Sequence, residues 1–102
     1  MEKTLEEISD AFNTEIPIGS LVRVVLTIGL GVEYDEKHKQ IKITKPELEM
    51  GMKKPELEGY FLEFSSYGSP DDPSLEFETE CEYCFTLRCS QIDDYEVLEE
   101  PE

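Results

Sequence analysis

The apolar residues change period once, near residue 20. Before it, Leu5, Ile8 and Phe12 recur at helical spacing behind Thr4 and Glu7, which form an S/T-x-x-E capping box. This predicts a short helix over 4–13, ended by the turn Ile16-Pro17-Ile18-Gly19. From Ser20 onward the strand period takes over. Ser20 to Ile28 is apolar and β-branched (Val22, Val24, Val25, Thr27, Ile28), as in a mostly buried strand. Val32 to Asp35 predicts a short strand before the polar turn Glu36-Lys37-His38-Lys39. Gln40 to Thr44 then alternates with Ile41 and Ile43 inward. Residues 45–58 hold a small repeat, Lys45-Pro46-Glu47-Leu48-Glu49 and Lys54-Pro55-Glu56-Leu57-Glu58, around Met50-Gly51-Met52. Its prolines argue for a loop or two short turns flanking a strand pair. Tyr60 to Tyr67 is the next strand, and Gly68-Ser69-Pro70-Asp71-Asp72-Pro73 is a turn.

Leu75, Phe77, Thr79, Cys81, Tyr83, Phe85, Leu87 and Cys89 keep odd parity over fifteen residues. At ~3.4 Å per residue one strand would reach about 50 Å, beyond the usual length. The segment should therefore bend, bulge or divide near Cys81–Cys84. Tyr95, Val97 and Leu98 predict a last short strand before the acidic tail 99–102. The expected fold is mainly β (α+β): one helix, then five or six strands in a small antiparallel barrel or curled sheet. It occupies a single domain over 1–102, with the helix at 4–13 and the β region at 20–98. Gly19-Ser20-Leu21-Val22-Arg23-Val24 and Ile92-Asp93-Asp94-Tyr95-Glu96-Val97-Leu98 resemble the opening and closing strands of an SH3-like barrel.

Glu76, Glu78, Glu80 and Glu82 occupy every second position of 75–83, so a strand there would carry all four carboxylates on one face. Neighbours would stand roughly 6.8 Å apart, where like charges repel. The plain explanation is a solvated edge strand, whose charges block sheet-to-sheet association. Asp71, Asp72, Asp93, Asp94, Glu96, Glu99 and Glu100 surround the row, however, and an edge guard would ordinarily mix in lysine.

Charge sharpens this picture. The net charge is −16, from 25 acidic and 9 basic side chains over 102 residues. Residues 55–102 carry −14, residues 1–36 carry −6, and the lysine-rich stretch 37–54 carries +4. Such a chain repels nucleic acid and anionic lipid but is drawn to a positively charged groove. In size, charge and carboxylate row it resembles the small acidic inhibitors of phages and mobile elements, anti-restriction and anti-CRISPR proteins among them. The resemblance implies a non-enzymatic inhibitor that mimics nucleic acid. Its carboxylates would stand in for phosphates in salt bridges with the basic groove of a nucleic-acid-binding host protein. The partner-binding residues expected are Glu76, Glu78, Glu80, Glu82, Asp71, Asp72, Asp93, Asp94 and Glu96. An alternative is an adaptor or accessory barrel that binds a protein partner through apolar loop residues, with charge serving solubility. Tyr67 and Tyr95 are its candidate anchors, against a plainer role in core or rim packing.

Cys81-x-x-Cys84 followed by Cys89 raises a second alternative, a zinc-stabilised module with His38 or a carboxylate as fourth ligand. Strand parity argues against it, placing Cys81 and Cys89 in the core and Cys84 outside. No metal or other cofactor is therefore expected. No nucleophile–base pairing or phosphate-cradling loop points to an enzyme. No apolar run reaches the ~18 residues of a membrane span, the first residues form no signal core, and the odd cysteine count suits reduced thiols. A cytoplasmic protein is the expectation.

Overall fold

The computed structural model describes residues 3–27, 29–44, 54–68 and 70–101. Helix α1 spans Leu5–Asp10. The Thr4 hydroxyl accepts from the Glu7 amide and the Glu7 carboxylate accepts from the Thr4 amide, each at 3.2 Å, so the capping box is formed. The chain then widens into one π-helical turn, Ala11–Glu15, closed by the Ile16 amide donating to the Ala11 carbonyl at 2.8 Å. The helical segment thus ends two residues beyond the expected boundary.

Seven strands follow: β1 (Leu21–Leu26), β2 (Gly31–Asp35), β3 (Gln40–Thr44), β4 (Glu56–Ser65), β5 (Ser74–Glu78), β6 (Cys84–Arg88) and β7 (Ile92–Glu99). They form one curled, mixed sheet, a half-barrel, in the order β2-β3-β6-β5-β4-β1-β7. Five or six antiparallel strands were expected, and two features account for the difference. The long odd-parity segment divides into β5 and β6, and β3 meets β6 in parallel through the single pair Gln40↔Cys84. The strands at 19–24 and 92–98 do lie together, since β1 pairs antiparallel with β7. Strand β4 begins at Glu56, inside the stretch read as a loop. The other half of that stretch, 45–53 with the first copy of the repeat, lies outside the described residues.

The inner face of the sheet carries the core. Ile8, Ala11 and Phe12 of the helical segment close over Val22, Val24, Phe61, Leu75, Phe77, Phe85 and Leu87. Phe12 meets Phe61, Phe77 and Tyr95 edge to face, with centroids 5.1, 5.9 and 5.3 Å apart. Tyr95 is therefore packed against the core, as its plainer reading had it. The Phe77 and Phe85 rings stack at 5.0 Å across β5 and β6. Gly59 on β4 makes room for them. A Cβ built there would stand 3.0 Å from Phe85 Cε1 and 3.2 Å from Phe77 Cβ. Among the described residues, no helix is long and apolar enough to cross a membrane.

Candidate functional site: an acidic outer sheet face

Register decides which side chains leave the core. Along β1 the buried residues are Val22, Val24 and Leu26, so Arg23 faces outward, and its cross-strand partners are Glu58 on β4 and Glu96 on β7. Outward positions pair with outward positions across the whole sheet. Strand β5 contributes Glu76 and Glu78. Strand β4 contributes Glu56, Glu58 and Glu63, and β7 contributes Asp94, Glu96 and Glu99. A bulge at Leu62 keeps β4 in phase. Phe61 pairs with Phe77 and Glu63 with Glu76, so the extra residue returns Glu63 to the outside and Phe64 to the core side. Only Arg23 and Arg88 interrupt this face with positive charge on those strands.

The carboxylates thus run across the strands rather than along one. Neighbouring strands lie about 4.8 Å apart, and like-facing residues on one strand about 6.8 Å apart. Glu63 and Glu76 stand directly opposite each other, an arrangement that destabilises a sheet. Two charges ~5 Å apart in water repel by about 0.8 kcal/mol. Among the described residues, no lysine or arginine stands within 4.0 Å of Glu63, Glu76 or Glu78.

The expected row of four is broken after its second member. Glu76 and Glu78 lie on β5, whereas Glu80 and Glu82 lie in the turn to β6. The Thr79 amide donates to the Tyr83 carbonyl at 2.8 Å and the Glu82 amide to the Thr79 carbonyl at 3.0 Å. Glu82 takes the left-handed conformation (φ 67°) that closes such a three-residue loop. Glycine or asparagine usually holds that position, and neither is present in 79–83, so nothing in the local composition announces the turn. Glu80 accepts a long hydrogen bond (3.5 Å) from the hydroxyl of Tyr60, an outward residue of the neighbouring strand β4. Partial burial and the nearby Glu80 and Glu99 carboxylates hold the Tyr60 phenol above its ordinary pKa.

The remaining expected partner-binding acids divide by their contacts. Asp72 is structural: its carboxylate accepts from the Ser90 amide (2.9 Å) and hydroxyl (2.6 Å). Asp93 pairs with Lys54 at 2.8 Å, and Asp94 pairs with Lys3 at 3.4 Å. The Tyr95 amide, then Lys3, holds the Asp94 carboxyl below its usual pKa of 3.8. Glu96 accepts from Arg23 Nη1 at 3.3 Å, and Glu58 lies 3.9 Å from the same guanidinium. Asp71 is exposed in the loop beside α1, away from the outer sheet face. The face therefore gathers Glu76, Glu78, Asp94 and Glu96 from the expected set. It adds Glu99, one of the acids read as flanking the row, and Glu56, Glu58 and Glu63, which the sequence reading missed. Their signal was present: Glu56-Leu57-Glu58 alternates with strand period, but the adjoining prolines argued for a loop.

Two side chains of the lysine-rich stretch pair at the surface with an acid of the same chain. His38 Nδ1 and Lys42 Nζ lie 2.8 and 3.6 Å from Asp35, whose carboxyl the His38 hydrogen bonds hold below the usual range. Of the thiols, Cys89 is buried, Cys84 is half-buried on the outer face opposite Glu78, and Cys81 is exposed in the turn. Cys81 was expected in the core; the turn breaks its parity with Leu75 and Phe77. Burial, followed by Asp72, raises the Cys89 thiol to about 11. Burial and Glu78 also push the Cys84 thiol up. Cys84 lies on the outer face of the sheet, Cys89 is buried in the 3-10 turn 89–91 after β6, and His38 sits on Asp35. Among the described residues, no three His, Cys, Asp or Glu side chains gather as a metal site would require. Comparison with protein-family models, curated proteins and solved structures found no match.

Proposed function

We propose that this chain is a non-enzymatic, cytoplasmic inhibitor that lays its acidic outer sheet face into the basic groove of a nucleic-acid-binding enzyme, such as a CRISPR effector or restriction nuclease. The observation that carries the reading is the set of eight outward carboxylates, two on β5, three on β4 and three on β7, within the four consecutive strands β5-β4-β1-β7, with Arg23 on β1 between them and Arg88 on β6 beside them. A sheet presents these charges on a surface already fixed by the core, so little ordering entropy is lost when they meet arginines and lysines. Each arginine forks onto a carboxylate much as it does onto a phosphate. The opposed Glu63 and Glu76 fit such a role, because repulsion left in the free protein is relieved when a cation enters between them. In this reading the half-barrel serves only to hold the face.

The test compares wild type with a Glu63/Glu76/Glu78→Gln variant as bait in bacterial lysate, eluted by a salt gradient. A nucleic-acid-handling enzyme released from wild type at moderate salt and absent from the variant supports the reading. A partner retained equally by both baits removes the face as the interface. The adaptor reading draws on exposed apolar side chains: Ile18, Leu62 and Tyr67 are 63%, 38% and 98% exposed. A salt-insensitive partner lost on Tyr67→Ala would favour it.

A further inference from the structure

Strand β2, the β5–β6 turn and the start of β4 enclose a cleft of about 630 Å³, within the range of binding sites for small groups. Its walls combine three chemistries. The Tyr34 and Tyr83 rings meet edge to face at 5.5 Å, Leu57 supplies an aliphatic floor, and Glu36, Glu58 and Glu80 bring carboxylates. The Tyr83 ring already attracts one cation within the chain, the Lys39 ammonium, 5.0 Å from its centroid. Tyr34 is 58% exposed although its ring is anchored on Tyr83.

The geometry points to a receptor for one arginine side chain of the basic partner, an inference that rests on the function proposed above. A guanidinium is planar and weakly hydrated, so it can lie against a tyrosine ring while forking onto a carboxylate. A lysine ammonium gains the charge but not the fork, and an inorganic cation makes little use of the rings. The aromatic walls set this cleft apart from the open sheet face, where charge alone attracts.

Octa-arginine and octa-lysine peptides, titrated by calorimetry at two salt concentrations, test it. Wild type binds the arginine peptide about two- to fivefold tighter. Tyr34→Leu keeps an apolar contact with Tyr83 and removes the ring, so the arginine preference falls to near one while the salt dependence is unchanged. In wild type, the amide resonances of 79–83 shift with the arginine peptide and move little with the lysine peptide. Equal affinities in wild type, or a preference that survives in Tyr34→Leu, overturn the cleft. The Glu63/Glu76/Glu78→Gln variant reports separately on the face, because it should weaken both peptides alike. If it weakens neither while the arginine preference persists, the face fails and the cleft stands.

Discussion

Gly59 shows how a single residue sets the spacing of this core. The stacked Phe77 and Phe85 rings lie where its side chain would be, with a Cβ only 3.0 Å from Phe85 Cε1. Gly59→Ala gains about 0.4–1 kcal/mol from a less flexible unfolded chain, but overpacking costs about 1–3 kcal/mol. The clash should win, lowering stability by roughly 1–2 kcal/mol, read as an earlier urea midpoint with unchanged slope. A midpoint at or above wild type would mean that the rings move aside freely. Asp94 makes a prediction of opposite kind. Its folded pKa lies below 3.8, so its contribution is complete above that value and is lost as pH falls through the folded pKa. Asp94→Asn should be less stable than wild type near neutrality, and the gap should close below about pH 3.8. A gap independent of pH, measured by urea unfolding at each pH, would assign the loss to something other than the carboxylate. Such residue contacts were poorly legible in the sequence. Asp72, Asp93, Asp94 and Glu96 read alike as free acids, and only the three-dimensional partners Ser90, Lys54, Lys3 and Arg23 tell them apart.

Elements were legible where alternation was uninterrupted. Gln40–Thr44 is strand β3 with the bounds its pattern predicts, and the capping box at Thr4 places α1. The odd-parity segment was legible as too long for one strand. The consequence for Glu80 and Glu82 was not, because Glu82 adopts a positive φ without the glycine that signals one. Strand β4 hid its first residues behind Pro55, and with them the partners of the acidic face. At this scale the face should cost stability. Replacing Glu63 by glutamine removes the repulsion with Glu76 directly opposite, worth about 0.5–1 kcal/mol. Glu63→Gln should therefore raise the thermal midpoint at low salt, and the gain should shrink as added salt screens the pair. A neutral or destabilising result would show that Glu63 is compensated within the fold.

Across the whole molecule, 25 acids against 9 bases make the folded state repel itself while drawing it toward cationic surfaces. Composition alone conveyed that much. It could not show that a curled sheet sorts these charges, keeping Asp35 and Asp93 for internal pairs and leaving Glu63, Glu76 and Glu78 on one outward face. A device tuned for stability alone would not leave like charges opposed, which is why the face is read as an interface. The most direct test is competition. A labelled oligonucleotide is bound to the captured enzyme, and its displacement by this protein is followed by fluorescence anisotropy. The account predicts displacement that weakens with salt and that falls at least about tenfold in the Glu63/Glu76/Glu78→Gln variant. An oligonucleotide that stays bound while the protein is also bound, or equal displacement by the variant, would contradict it.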